Sequence, residues 1–479
     1  MKALAGNTTR AFMFFGLSFL AFFGAAIVLD NYLIVAVPFA FLLFFAGWSQ
    51  LSIAFAALLI SLPFSIEYQV SPTLGTDAPD ELLMIAVSFL FLCRVFYKPT
   101  LLKRNTWLHP LLILLYCSVF WALITMLLSS HPLLSLKFLI AKGWYFGAFI
   151  GAALLLFSDR ATMLRAFALL ALSMLLVTIL AIARHAQYGF SFAETNDALR
   201  PFFRNHVNYS AMLVCMVPLW WAGYRISLKG KWLIAGALII TLAAIFLSYA
   251  RGAWAALVVG MIAWELIRRK WLLKAYLLVV AFVLLCTGWL IRNDNYLRYA
   301  HHYQTTIFHE DFRDHLVATY QLKDLSTAER FYRWVAGVRM LEERPVIGFG
   351  PSTFFHEYKP YALPAFRTWV SDNPEQSTVH NYFLMIAVEQ GIPGLLIFLL
   401  LAGSSLWYAQ SLFNRARDTI NRTIALAAGS VMVMILTVNF LSDLIETDKV
   451  GSLFFLCIAT LIATGNYTKA TASGAQPGQ

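Results

Sequence analysis

Apolar residues in this chain do not alternate with polar ones at strand or surface-helix spacing. They run on in long unbroken stretches. A helix needs about 20 apolar residues to cross a bilayer, and about 17 at the short end. Runs of this kind fall at 11–29, 32–47, 50–63, 82–96, 107–128, 136–157, 162–183, 207–225, 231–249, 253–268, 271–291, 383–408, 421–441 and 449–465. Several are short, and 32–63 has room for one span plus a re-entrant piece. The pattern predicts an all-α protein, a polytopic transmembrane helix bundle of 12–14 spans, even in number.

One polar stretch, 292–380, is far too long for an ordinary connection. It predicts a mostly helical loop subdomain packed over the bundle. The chain then divides into N-terminal transmembrane helices (1–291), the large loop (292–380), C-terminal transmembrane helices (381–467) and a polar tail (468–479). Inside the large loop, Ser326-Thr327-Ala328-Glu329 has capping-box spacing, with Ser326 as N-cap and Glu329 at N3. An amphipathic helix follows, running to about Glu343 and stopped by Pro345. Residues 64–80 read as an acidic, proline-containing loop, and 184–206 as a medium loop.

Composition agrees with the pattern and excludes a soluble fold. Hydrophobic residues make up 60% of the 479 and charged ones 13%, against roughly a quarter charged in soluble domains. The net charge of +11 is distributed in a way that nucleic-acid binding does not explain. Lys98, Lys103 and Arg104 share one loop, and Arg160 and Arg165 flank a second. Arg225, Lys229 and Lys231 occupy a third, Arg268, Arg269, Lys270 and Lys274 a fourth, and Arg415, Arg417 and Arg422 a fifth. These are alternate loops, so all fall on one side, which the positive-inside rule makes the cytoplasm. Lys2, Arg10 and Lys469 put both termini there too, and 292–380 lies on the opposite, periplasmic side. The five cysteines all lie in apolar segments without a CxxC pair and read as buried hydrophobes.

Against that rule, Lys137, Lys142, Arg184, Arg200, Arg204 and Arg251 lie at or near the periplasmic side. A cation there either snorkels to lipid headgroups or meets an anion. For Lys137, Lys142 and Arg184 both readings stand. Arg251 favours an anion: it sits in the tight turn Ser248-Tyr249-Ala250-Arg251-Gly252-Ala253-Trp254, where Gly252 lets backbone approach a ligand. Arg330 and Arg333 lie in the first turns of the predicted loop helix, where exposed N–H groups and guanidinium forks together suit a phosphate, or simply pair with Asp324 or Glu329.

His380-Asn381-Tyr382-Phe383-Leu384 opens a long apolar helix at the membrane surface, and Gly391-Ile392-Pro393-Gly394 follows. The dipole at a helix N-terminus disfavours imidazolium, which leaves His380 able to accept a proton. His380-Asn381, nine residues, then Gly391-x-x-Gly394 resembles the histidine motif of O-antigen ligases, H-[NSQ]-x9-G-x-x-[GTY]. The Arg251 turn is similar to the arginine turn of the wider ligase and polymerase superfamily. Arg330, with Trp334 four residues on and about 50 residues before His380, resembles its second arginine. One large periplasmic loop before the histidine helix matches as well.

The resemblance implies a membrane glycosyltransferase in the bacterial inner membrane, inverting and metal-independent, with its active site facing the periplasm. The implied donor is undecaprenyl pyrophosphate carrying O-antigen polysaccharide, and the acceptor a sugar hydroxyl of lipid A-core. No cofactor and no metal are expected, and the chain has no DxD motif. The one metal-like run, His309-Glu310-Asp311-Phe312-Arg313-Asp314-His315, matches no standard site. In the implied mechanism His380 is the general base, and Arg251, Arg330, Arg204 and Lys142 stabilise the pyrophosphate. Asn381, Gly391 and Gly394 complete the motif. An O-antigen polymerase or a protein O-oligosaccharyltransferase would use the same donor. A lipid or solute transporter is the rival of another class, but it would place charges or broken helices at the midplane and often show internal repeats, which this sequence lacks.

Overall fold

Each of the apolar segments becomes a helix. The computed structural model describes residues 2–28, 36–71, 74–299, 325–368, 371–373 and 376–472. The helices are α1 (Lys2–Val28), α2 (Ala36–Ser49), α3 (Leu51–Phe64), α4 (Asp80–Tyr97), α5 (Pro110–Leu127) and α6, which starts as Pro132–Tyr145 and continues through a π-helical stretch to Leu156. They continue with α7 (Arg160–Gln187), α8 (His206–Ile226), α9 (Lys231–Leu247), α10 (Arg251–Arg268) and α11 (Leu272–Ile291). The loop helix is α12 (Leu325–Glu343), and α13 (Tyr382–Arg415), α14 (Thr419–Val438) and α15 (Asp448–Ala472) close the bundle. Seven described helices are long and apolar enough to cross a membrane, and four more apolar helices have 10–17 residues. The protein is an all-α polytopic helical bundle.

Small residues set how closely the helices approach. A Cβ at Gly260 of α10 would overlap Met434 of α14, and one at Gly429 of α14 would lie 2.9 Å from Ile267 of α10. Close backbone approach of this kind supplies the packing that lipid cannot drive. Helix α15 is buried along most of its length, whereas α11 stands at the rim and is held to α13 by the Tyr276 hydroxyl on the Leu399 carbonyl (2.8 Å).

The connections sort into two faces. On one, Arg160 pairs with Asp418, the Tyr467 hydroxyl reaches the Phe157 carbonyl, and the Leu272 amide donates to Gln410 Oε1 (2.8 Å). These contacts join three of the basic connections, those around Arg160, Arg268–Lys274 and Arg415–Arg422. The other face carries the described parts of 292–380, the 129–135 turn, the start of α10 and the 439–447 connection.

Three local features depart from the sequence reading. Residues 64–80 are not a plain loop: Ile66–Ser71 (β1) pairs antiparallel with Leu74–Ala78 (β2). Alternation of Ile66, Tyr68 and Val70 favours a strand over the acidic composition that suggested a loop. Helix α12 starts at Leu325, ahead of the predicted cap, and the Glu329 side chain is engaged elsewhere. Its carboxylate is taken by Arg333 (3.2 Å), Ser371 (2.5 Å) and Thr368. Third, α13 is broken at Gly391 (φ 70°, ψ 179°). The run 309–315 lies outside the described residues.

Candidate active site on the loop face

His380 is fixed before α13 begins. Asn381 is the N-cap of α13, in extended conformation, and its Oδ1 accepts from the Leu384 amide (3.0 Å). His380 itself is left-handed (φ 52°), outside the helix it precedes. Every neighbour of that turn is tied down from elsewhere in the chain. Arg333 Nη1 donates to the Thr378 carbonyl (3.2 Å) and Trp334 Nε1 to the Val379 carbonyl (3.0 Å). The Tyr382 amide is shared between the carbonyls of Asn439 and Ser442, at 2.9 Å each. Gly337 of α12 leaves room for Leu384 and Val379, which a Cβ there would meet at 3.1 and 3.5 Å.

The 439–447 connection supplies the group facing the imidazole. His380 Nδ1 lies 3.7 Å from Asp443 Oδ1, while Asp443 Oδ2 accepts from the Thr378 hydroxyl. Burial alone would raise the Asp443 carboxyl. The nearby His380 imidazole and the hydrogen bond from Thr378 outweigh it and hold Asp443 below the usual carboxylate range. Asn439 shapes the connection, its Oδ1 accepting from the Ile445 amide (3.0 Å) and its Nδ2 donating to the Ile435 carbonyl (2.8 Å).

The arginine helices meet the same connection. Arg251 is the first residue of α10, half-buried, after a turn in which Tyr249 is left-handed (φ 54°) and donates to the Phe190 carbonyl (2.8 Å). The next residue, Gly252, would place a Cβ 4.0 Å from Leu441. Arg330 is half-buried on α12, one turn before Trp334, whose ring packs on Phe440 with centroids 6.2 Å apart. The 440–443 segment therefore touches all three elements that carry Arg251, Arg330 and His380.

Arg333 has a different use. Its pair with Glu329 is enclosed, both side chains under 10% exposed, so the guanidinium is committed to holding residues 368–378. Cutting such a pair costs about 3–5 kcal/mol by stranding the remaining charge. Lys142 is also committed: its ammonium lies 2.8 Å from Glu446 and within 5.0–5.8 Å of the Phe138, Tyr145 and Phe455 rings. Arg204 is exposed in the turn before α8, and Arg184 donates to the Asp197 carbonyl (3.2 Å). The structure thus brings the helices that carry Arg251 and Arg330 against the connection facing His380, buries Lys142 beside it, and leaves Arg204 at the surface.

The glycine pair marks a second joint. At Gly391 a Cβ would collide with the Val346 carbonyl, and its positive φ suits glycine alone. The break frees the carbonyls of Val388, Glu389 and Gln390, which accept from Phe349 N (3.0 Å), Gly350 N (2.8 Å) and Trp121 Nε1 (2.7 Å). Glu389, buried, accepts from the Ser352 and Phe354 amides at 2.9 and 3.2 Å. Gly394 gives Trp121 its approach, since a Cβ there would lie 3.3 Å from the indole. Below this joint a narrow, partly open cleft runs between α5, α6, α13 and α15, walled by Phe138, Phe146, Phe398 and Phe454, with Lys142 and Tyr382 among its polar lining groups.

Sequence reasoning missed Asp443, Thr378 and Glu389. The only signal for Asp443 was an acidic residue just past an apolar segment on the histidine's side; Glu389 lay hidden in an apolar run.

A histidine–aspartate contact and two arginine-bearing helices thus meet at one face of a polytopic bundle. Residues 236–399 match a family model described as O-Antigen ligase. The matched stretch contains Arg251, Arg330, His380, Asn381, Gly391 and Gly394, and it supports an assignment to the O-antigen ligase family. This is a family of ligase- and polymerase-type glycosyltransferases with polysaccharide and lipid-linked substrates. No curated protein matches the chain.

Proposed function

We propose that the protein transfers O-antigen polysaccharide from undecaprenyl pyrophosphate to a sugar hydroxyl of lipid A-core, at the periplasmic face of the bacterial inner membrane. The observation that carries this reading is the contact of His380 Nδ1 with Asp443 (3.7 Å), on a connection that also packs against the Arg251 and Arg330 helices. With Nδ1–H directed at the carboxylate, Nε2 keeps its lone pair for the acceptor hydroxyl. That hydroxyl oxygen attacks the anomeric carbon as its proton passes to Nε2. The bond from the anomeric carbon to the pyrophosphate oxygen breaks, with inversion, and undecaprenyl pyrophosphate leaves.

A pyrophosphate needs no proton to depart, but its charge needs neutralising. Guanidinium forks at Arg251 and Arg330 suit that task, since each can make paired hydrogen bonds to phosphate oxygens. Arg204 adds a surface cation on the approach, and Lys142, held by Glu446, acts on the phosphates only through the local field. The apolar cleft between α5, α6, α13 and α15 offers the isoprenoid tail a path beside the site.

Reconstitution tests the whole reading. Purified protein, lipid-linked polysaccharide and rough lipopolysaccharide should together give a ladder shift of the lipopolysaccharide. Growth of the lipid-linked chains with the lipopolysaccharide untouched would instead identify a polymerase.

A further inference from the structure

A second group of side chains lies on the loop face outside this site. Asp77 ends β2, Asp80 opens α4 and Asp448 opens α15, and one ligand oxygen from each lies within 4.8 Å of the others. Carboxylates this close repel unless a cation sits among them. Lys449 is the nearby base, but its ammonium is already bonded to the carbonyls of Ser65 (2.9 Å) and Phe202 and stands over the Phe203 ring at 4.3 Å. One lysine against three carboxylates leaves a surplus of two negative charges.

Asp80 supplies an independent sign of a ligand. It is completely buried, at 0% exposure. Its Oδ1 accepts from the Ser65 hydroxyl (2.5 Å) and the Glu81 amide (2.9 Å), while Oδ2, equally buried, has no hydrogen-bond partner among the described residues. An ionised oxygen kept from water without a donor is costly, and a metal ion removes that cost.

We propose that Asp77, Asp80 and Asp448 bind one divalent cation of the calcium or magnesium type, which clamps the start of α15 to the corner between the hairpin and α4. The donors are all carboxylate oxygens, which selects hard cations over zinc or copper. The Tyr145 hydroxyl, donating to Asp448, helps fix one ligand. The clamp is structural and stands apart from the sugar-transfer step. Asp448 lies five residues past Asp443, so it steadies the connection that faces His380.

The test needs no glycosyl transfer. Full-length protein in detergent is stripped with EDTA and equilibrated with radioactive calcium, with magnesium as competitor. One calcium per chain is expected, with Kd on the order of 10⁻⁴–10⁻³ M as for extracellular sites, and calcium should raise the Tm. Asp80→Asn should weaken binding by about tenfold or more and abolish the calcium-dependent rise. In EDTA it should melt no lower than wild type, because the repulsion is relieved. If Asp80→Asn does not fold, Asp77→Asn on the half-buried hairpin is measured for the same loss of binding. Absence of stoichiometric binding in wild type overturns the proposal, as does wild-type affinity in the folded variant.

Discussion

The indole of Trp334 donates to the carbonyl of Val379 at 3.0 Å, one residue before His380. Two stretches of sequence some 45 residues apart are thereby locked together at the residue that faces Asp443. The loop helix α12 thus acts on the histidine through the backbone, and four predictions follow the chain of contacts outward from it.

His380→Ala should lower transfer about 10²–10⁴-fold, the usual contribution of a positioned general base. Donor binding should persist, because the arginines are untouched. Single-turnover transfer and donor binding, on protein matched for folding, separate the two effects. Near-wild-type transfer would remove His380 from the mechanism.

Asp443→Asn should lower transfer by about tenfold or more by unsettling the imidazole tautomer. It also changes stability in a defined direction. Asp443 titrates lower in the folded protein than its ordinary value. Its contribution to stability is therefore complete above the unfolded aspartate value, about 3.9, and is lost as pH falls through the lower folded value. Tm curves against pH should show the wild-type advantage over Asp443→Asn shrinking on the acid side of about 4. An advantage that grows there contradicts the contact with His380.

Arg251→Lys and Arg330→Lys should each recover little of what alanine loses in donor binding, because an ammonium cannot reproduce two parallel bonds to phosphate. Binding of undecaprenyl pyrophosphate is the measurement. Arg333→Ala, by contrast, should lose about 3–5 kcal/mol of stability through the stranded Glu329, and a thermal melt distinguishes this from a binding defect. Equal donor binding by lysine and arginine at both positions would sink the paired-bond assignment.

Gly391→Ala should destabilise strongly and reduce transfer. It adds strain of about 1–3 kcal/mol at a positive φ and a collision with the Val346 carbonyl. Gly288→Ala is the control: no atom lies within 4 Å of its Cβ position in α11, so alanine should be neutral or stabilise by about 0.5–1 kcal/mol. If both variants melt alike, the break in α13 is not needed for the fold.

Much of this molecule was legible without coordinates. Lipid demands satisfied backbone groups, so an apolar run of sufficient length has few options other than helix, and each predicted run is one. Three of the basic connections meet on one face, as alternate connections of a bundle do. Arg251, Arg330 and His380 stood out singly, each by a local oddity of charge or helix position.

Their meeting did not. Arg330 and Arg333 occupy the same helix three residues apart, and only packing decided that Arg333 is enclosed with Glu329 while Arg330 is left half-buried. Lys142 looked like any cation at that face until Glu446, some 300 residues away, closed on it. Asp443 gained its place through the Thr378 and His380 contacts, and Gly391 through the collision it avoids with Val346. Hydropathy and helix-end chemistry act within a few residues, so the sequence by itself determined the helices, their order and the residues out of keeping with them. Which charges are neutralised and which face a substrate depends on contacts between helices far apart in the chain, and those exist only once the bundle has packed.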